Sequence, residues 1–157
     1  MGLEIGNIIA SRGDSIISSV IKKITYSKYS HLAIIVSNTL IIEADGISGF
    51  IKYRNIEDFQ SYSDIFTCDS LTDKKSQEMI FYLEGKVGQK YDRILLFWLF
   101  VKYVFRVKLP YKNDSSMICS ELVNNAYKSV GVRLSKKRFP SPKDIINSKL
   151  LRKIGSL

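Results

Sequence analysis

Residues 29–45 read YSHLAIIVSNTLIIEAD, and this stretch decides the fold. Two runs rich in β-branched residues, 32–36 and 40–44, are separated by three residues that favour turns. This pattern predicts a β-hairpin. His31, the only histidine of the chain, precedes the first strand, and Glu43 interrupts the otherwise apolar second strand. A charge in such a run is costly to bury without a partner.

Outward from the hairpin, the pattern alternates between short strands and helices. Helical spacing of apolar residues predicts a helix that begins at Thr72 or Asp73 and ends at Gly88. The apolar block 94–105 is too short to span a bilayer, so it is either a core helix or a helix lying on a membrane surface. The remaining predicted elements are strands at 6–10 and 65–68, a helix at 16–24, a helix at 117–130 capped by Asp114, Ser115 or Ser116, and a short helix starting at Pro142. These elements predict an α+β fold with a mainly antiparallel sheet.

The composition is that of one globular domain covering residues 1–157. Apolar residues make up 45% and charged residues 25% of the chain, which excludes wholesale disorder. The N-terminus lacks the pattern of an export signal, and two cysteines are too few for a disulfide framework, so we expect a cytoplasmic protein with reduced thiols. The absence of a glycine-rich phosphate loop and of paired metal-ligand spacings predicts no cofactor and no metal.

The net charge of +9 is concentrated at the C-terminus. Residues 128–157 contain nine basic side chains and a single acidic one, whereas residues 1–127 are nearly neutral. A local basic surface of this kind is typical of contact with an anionic partner, such as an anionic membrane. No nucleic-acid motif accompanies it, so nucleic acid is an unlikely partner.

Cys119 has the setting of a nucleophile. It lies in the first turn of a predicted helix, where unpaired backbone N–H groups and the positive end of the helix dipole stabilise a thiolate. The same N–H groups can bind the oxyanion formed when an acyl group is attacked. Cys68, inside a predicted strand, has the setting of a small core residue.

A cysteine and histidine pair usually needs a third group to orient the imidazole. With a two-residue turn, the hairpin would point Glu43 away from His31. With the three-residue turn at 37–39, His31 faces Asp45 and Glu43 lies diagonally on the same face, about 7 to 8 Å away between backbones. A triad of Cys119, His31 and Glu43 therefore requires the three-residue turn, and Asp45 is the alternative orienting group.

Taken in order, several segments resemble the YiiX-like group, the circularly permuted relatives of the NlpC/P60 cysteine peptidases, which have a papain-like fold. The resemblance covers most of the chain, and it is the order of the segments that makes it specific. The segments are Gly6-Asn7-Ile8-Ile9, residues 29–35, Ile42-Glu43-Ala44, residues 88–92, residues 118–123 and Ser141-Pro142. Asn7 stands where the family commonly has aspartate, and the block 94–105 separates two of the motifs.

The resemblance implies that Cys119 is the nucleophile, His31 the general base and Glu43 its orienting acid. It also implies that Tyr91 supports the oxyanion or lines the substrate groove. The expected activity is that of a hydrolase, a thiol protease or amidase, that cleaves an amide in a peptide or an ester in an acyl lipid. The alternative is a non-catalytic basic module that binds an anionic membrane or nucleic acid through residues 136–138 and their neighbours.

Overall fold

The computed structural model describes residues 3–13, 16–59, 63–106 and 116–157. Its strands and helices alternate along the chain, and a short 3₁₀ helix follows the fourth strand. In chain order the elements are β1 (Ile8–Ser11), α1 (Ile16–Thr25), β2 (His31–Ile35), β3 (Leu40–Asp45), β4 (Phe50–Asn55), the 3₁₀ helix (Ile56–Phe59), β5 (Ser63–Cys68), α2 (Asp73–Glu84), β6 (Lys90–Tyr91), α3 (Arg93–Phe105), β7 (Ser116–Met117), α4 (Cys119–Ser129), α5 (Pro142–Ile146) and β8 (Leu151–Ser156).

Within the described ranges, the strands form one sheet in the order β7-β6-β4-β3-β2-β1-β5-β8. Every neighbouring pair is antiparallel except β6 and β7, which run parallel. The predicted α+β class with a mainly antiparallel sheet is confirmed. The hairpin of β2 and β3 lies in the middle of the sheet, which gives its side chains neighbours on both sides.

The hairpin has the register of the three-residue turn. Ala33 pairs with Glu43, and Ile35 pairs with Ile41. Continuing this register sets His31 opposite Asp45, so Glu43 is the diagonal neighbour of His31 on the same face. The register that the triad hypothesis required is therefore the observed one.

Both faces of the hairpin are buried, each by different partners. On one face, Leu32, Ile34 and Ile42 belong to the main core, together with α2 and α4 residues such as Met79 and Leu122. On the other face, the apolar side chains pack with the 3₁₀ helix in a second cluster. The members of that second cluster are Ile9, Ala33, Ile35, Ile41, Ile56 and Phe59. His31 and Glu43 lie on this second face of the hairpin.

The helix over the apolar block begins one residue earlier than the block itself, at Arg93. The Asp92 side chain caps it by accepting a hydrogen bond of 2.7 Å from the backbone N–H of Leu95. Leu95 is buried and Trp98 packs against the main core, whereas Ile94 and Phe105 are 68% and 65% exposed. The helix thus packs on the core along one side and presents apolar side chains to solvent at both ends.

Several element boundaries differ from the sequence prediction. Helix α2 ends at Glu84 with Gly85, not Gly88, as its C-cap, and α4 begins at Cys119 with Ile118 as its N-cap. Ser116 belongs to β7, while Asp114 and Ser115, the other predicted caps, lie outside the described residues. Strands β4, β6, β7 and β8 were not predicted. No helix within the described ranges combines the length and the hydropathy that a bilayer-spanning segment needs.

Candidate active site

The hairpin joins His31 and Glu43 directly. The His31 Nε2 lies 2.7 Å from the Glu43 Oε2. The Glu43 side chain is only 1% exposed, whereas that of His31 is 24% exposed. A buried carboxylate thus holds one nitrogen of a ring whose other parts reach the surface. This arrangement fixes the orientation of the imidazole, as an orienting acid does.

Arg54 of β4 completes the surroundings of Glu43. Its guanidinium lies 3.4 Å from the Glu43 Oε1, the carboxylate oxygen that His31 does not use. Burial raises the pKa of Glu43, but the hydrogen bond and charge of His31, with the charge of Arg54, outweigh burial and lower it. Glu43 is therefore ionised at neutral pH, although it is buried.

The Phe59 ring of the 3₁₀ helix packs against this polar group. Its centroid lies 5.6 Å from that of the His31 ring and 5.3 Å from the central carbon of the Arg54 guanidinium. Arg54 also donates a 2.9 Å hydrogen bond to the carbonyl of Asp58. These contacts hold Arg54 in place, and the aromatic ring limits the positions that the imidazole can take.

Asp45, the alternative orienting group, has other partners. Its carboxylate accepts hydrogen bonds from the backbone N–H groups of Ile47 and Ser48 and pairs with Lys52 at 2.7 Å. Burial raises the pKa of Asp45, but these contacts outweigh it and hold the pKa well below the usual range. Asp45 therefore organises the turn between β3 and β4, and Glu43 is the carboxylate that contacts His31.

Cys119 is the first residue of α4 and is 5% exposed. The helix begins here because the backbone N–H of Ile118 donates a 3.1 Å hydrogen bond to the Glu121 side chain. A carboxylate at the third position of a helix that accepts from the backbone N–H of the cap is typical of helix starts. The thiol thus lies at the positive end of the helix dipole. Cys68 of β5 is buried elsewhere, with its sulfur 3.2 Å from the hydroxyl of Ser70.

The electrostatics of His31 link it to Cys119. Burial lowers the pKa of His31, but the charge of Cys119 and a hydrogen bond with it, followed by those of Glu43, raise the pKa to about 10. An imidazole with this pKa carries a proton at neutral pH. His31 is thus positively charged at neutral pH and interacts with both the Glu43 carboxylate and Cys119.

Tyr91 lies in the same region. It is 8% exposed and belongs to the main core, as Cys119 does. Its ring comes as close as 3.4 Å to the position that a Cβ would take at Gly46, just after β3. Burial, and then the nearby charges of Cys119, Asp45 and other acidic groups, raise the pKa of Tyr91 well above its usual value. Its hydroxyl therefore stays protonated and can donate a hydrogen bond.

The helix start also contains a carboxyl group that titrates near neutrality. Burial, and to a lesser degree the charge of Asp92, raise the pKa of Glu121 to about 7, although the hydrogen bond from Ile118 and the charge of Arg138 lower it. Asp92 itself is 2% exposed. Two carboxyl groups thus lie close to the first turn of α4, and the charge of Glu121 depends on pH.

Sequence reasoning identified His31, Glu43, Cys119 and Tyr91 but missed Arg54. The signal for Arg54 was present. Residues 51–54 alternate between apolar and basic side chains, and the observed register pairs Lys52 with Glu43 and Arg54 with Ile41. Had β4 been recognised, this alternation would have set Lys52 and Arg54 on the face of Glu43. No comparable sequence signal indicated the contact of Phe59 with His31.

Comparison with solved structures identifies the architecture. The crystal structure of the metalloprotein yiiX from Escherichia coli O157:H7 matches with a TM-score of 0.77. The match covers 100% of this chain and 99% of that one, with 18% sequence identity. The chain has a YiiX-like fold. It matches no family model and no curated protein.

The YiiX neighbour is described as a metalloprotein, so the fit of a metal to this site can be tested. Each oxygen of Glu43 already has a partner, and one of these partners is the cationic guanidinium of Arg54. A divalent ion on Glu43 would therefore face a fixed positive charge. In the part of the chain that the structure describes, no three His, Cys, Asp or Glu side chains are grouped to bind a metal. These residues do not fit a metal centre.

Proposed function

We propose that this protein is a cysteine hydrolase with a permuted papain-like fold of the NlpC/P60 type, which cleaves an amide bond through a thioester on Cys119. The observation that supports this most directly is the contact between His31 and Glu43, together with the electrostatic link of His31 to Cys119 at the start of α4. Because Glu43 contacts the Nε2 of His31, the Nδ1 of the same ring is the nitrogen that would interact with the Cys119 thiol.

The mechanism has two steps. The Cys119 thiolate attacks the carbonyl carbon, and the backbone N–H groups at the start of α4, with the hydroxyl of Tyr91, bind the resulting oxyanion. His31 donates its proton to the leaving amine, the carbon–nitrogen bond breaks and a thioester forms. In the second step, neutral His31 takes a proton from water, the hydroxide attacks the thioester, and the acid leaves as the thiolate is restored.

The same residues would cleave an acyl ester, and a feature near Tyr91 favours a lipid as the second candidate substrate. Ile47, in the turn against Tyr91, is 87% exposed, and Ile94 at the start of α3 is 68% exposed. Arg93 lies between them and donates hydrogen bonds to the carbonyls of Gly46 and Ile47. Exposed apolar residues beside a cation are typical of a surface that touches lipid.

Alkylation with iodoacetamide, followed by mass spectrometry, tests the proposed nucleophile. Cys68 is the internal control because it is a second buried thiol without an imidazole partner among the described contacts. We expect Cys119 to react faster than Cys68 at neutral pH, and we expect His31→Ala to remove the difference. Equal and slow labelling of both thiols would contradict the proposal and favour a basic module without catalysis.

A second experiment tests turnover. The wild-type chain should release p-nitrophenol from a short-chain p-nitrophenyl ester with a burst that corresponds to acylation of the enzyme. Cys119→Ala should abolish the burst and the acyl adduct, while Cys68→Ala should keep both. A circular dichroism spectrum of each variant shows whether the fold is retained. Full turnover by Cys119→Ala would exclude a thioester mechanism.

A further inference from the structure

A second cleft lies outside the candidate active site and is rich in lysines. Its volume is about 370 Å³, and none of the residues that line it belongs to the group of His31, Glu43, Cys119 and Tyr91. The turn at residues 26–29, Phe66 of β5, the end of α5 and β8 contribute its walls. We call it the lysine cleft because Lys28, Lys143 and Lys153 line it.

One buried carboxylate holds two of the lysines that line the cleft. The Asp64 side chain is 1% exposed and pairs with Lys153 at 2.7 Å, with Lys28 at 3.6 Å and with Arg12 at 2.8 Å. Its oxygens also accept hydrogen bonds from the hydroxyls of Tyr29 and Ser156. Asp64 is therefore fully engaged, and its single charge is shared among three cations.

The charges around the cleft do not balance. Three lysines line the cleft, two of them share the single charge of Asp64 with Arg12, and Asp144 next to Lys143 is paired with Lys137 instead. Each lysine ammonium has three N–H donors, so Lys28 and Lys153 retain donors beyond those that meet Asp64. Ser27 and Asn147 add neutral polar groups to the walls. This is the donor set that a multiply charged oxyanion needs.

The mouth of the cleft contains an unusual aromatic residue. Tyr26 follows α1 with a φ of 49°, a left-handed conformation that residues other than glycine rarely adopt, and its side chain is 85% exposed. Phe66 and Ile146 add apolar surface to the walls. The cleft therefore offers donors for an anionic group together with apolar and aromatic surface for an organic group attached to it.

We propose that the lysine cleft binds the phosphate group of an organic phosphate ester. The phosphate would contact Lys28, Lys143 and Lys153, and the ester substituent would lie along Tyr26 and Phe66. The excess of positive charge suits a phosphate, which carries up to two negative charges, better than a single carboxylate. Lys143 and Lys153 belong to the basic C-terminal region, so phosphate binding here would account for part of the positive charge of that region. The proposal is independent of the hydrolase proposal because it shares no residue with it.

Titrations of the full-length protein, followed by the amide resonances of residues 26–29 and Asn147, test this site. The probes are inorganic phosphate, glycerol 3-phosphate, and phosphatidylcholine vesicles with and without phosphatidic acid, with glycerol as the uncharged control. We expect saturable shifts at these residues with phosphate-bearing probes and none with glycerol. Binding to vesicles only when they contain phosphatidic acid assigns the site to a lipid headgroup, whereas binding to glycerol 3-phosphate alone assigns it to a soluble ester.

Lys143→Gln is the matched test variant, because Lys143 is exposed and its substitution leaves the Asp64 ion pairs intact. It should weaken binding roughly threefold to tenfold, the range expected for losing one charged contact. Lys149→Gln removes the same charge from an exposed position outside the cleft and should leave the affinity unchanged. Cys119→Ala should also bind normally. Equal weakening by both lysine variants, or no saturable shift with any probe, would overturn the proposal.

Discussion

The Oε2 of Glu43 lies 2.7 Å from the Nε2 of His31, one diagonal step across the hairpin. Arg54 meets the other oxygen of the same carboxylate from the next strand at 3.4 Å. Three neighbouring strands thus converge on a single buried negative charge. The contacts of this charge determine what each substitution of His31, Glu43 or Arg54 should do.

Glu43→Gln should uncouple His31 from its orienting group. An amide cannot supply the negative charge that helps to raise the pKa of His31, so that pKa should fall from about 10. Turnover of a p-nitrophenyl ester should fall roughly 10²-fold or more, as is usual when an orienting carboxylate becomes an amide. The histidine pKa is measured by NMR titration of the ring protons. Asp45→Asn is the control, since it removes a charge from the same strand without touching His31; an equal drop in this variant would contradict the assignment.

The contribution of His31 to stability should depend on pH in the alkaline range. Its pKa is raised in the folded protein from 6.5 to about 10, so between these values the folded state binds more protons than the unfolded state. The stabilisation is fully present below pH 6.5 and disappears as the pH rises through about 10. Urea unfolding of the wild type and of His31→Asn should therefore show a difference that shrinks across this window. A difference that grows with pH would contradict the charge state assigned to His31.

Glu121→Gln should stabilise the protein at alkaline pH. Burial raises the pKa of Glu121 to about 7, so its ionisation in the folded state costs free energy once the pH exceeds its ordinary value of 4.5. Glutamine can still accept the hydrogen bond from Ile118 but is never charged. We expect a gain in unfolding free energy on the order of 1 to 2 kcal/mol at pH 8 and none at pH 4. Urea titrations at pH 4 and pH 8 measure the gain, and an equal gain at both pH values would contradict this role of the Glu121 charge.

Asp64→Asn should destabilise the fold much more than the loss of an exposed ion pair. It removes the charge that compensates Arg12, Lys28 and Lys153, and we expect a loss of about 3 kcal/mol in unfolding free energy. Asp69→Asn breaks the exposed pair with Arg152 and should cost far less, because solvent screens that pair. Urea unfolding at neutral pH measures both. Similar losses in the two variants would show that the Asp64 carboxylate does not hold Arg12, Lys28 and Lys153 together.

Much of the fold could be predicted from local sequence patterns. Alternation, apolar spacing and capping residues predict the hairpin and the helices over 73–84 and 93–105. They leave two options for the hairpin turn, one of which is the observed three-residue turn. Strand β4 has a readable alternation at residues 51–54, whereas β8 was missed because few of its residues are apolar and its pairing with β5 is what stabilises it. Strands β6 and β7 contain two residues each, which is too short for any periodicity to be read.

The sequence by itself determined which side chains could do chemistry: a single histidine, a carboxylate in an apolar strand and a cysteine before a helix. These are local facts, since residue type and strand or helix period are encoded within short segments. Only the tertiary structure decided between the two turn registers, between Glu43 and Asp45, and on the contacts of Arg54 with Glu43 and of Phe59 with His31. Those outcomes depend on how distant strands pair and bury one another, because an ionised carboxylate is tolerated inside only when other elements bring its partners to it.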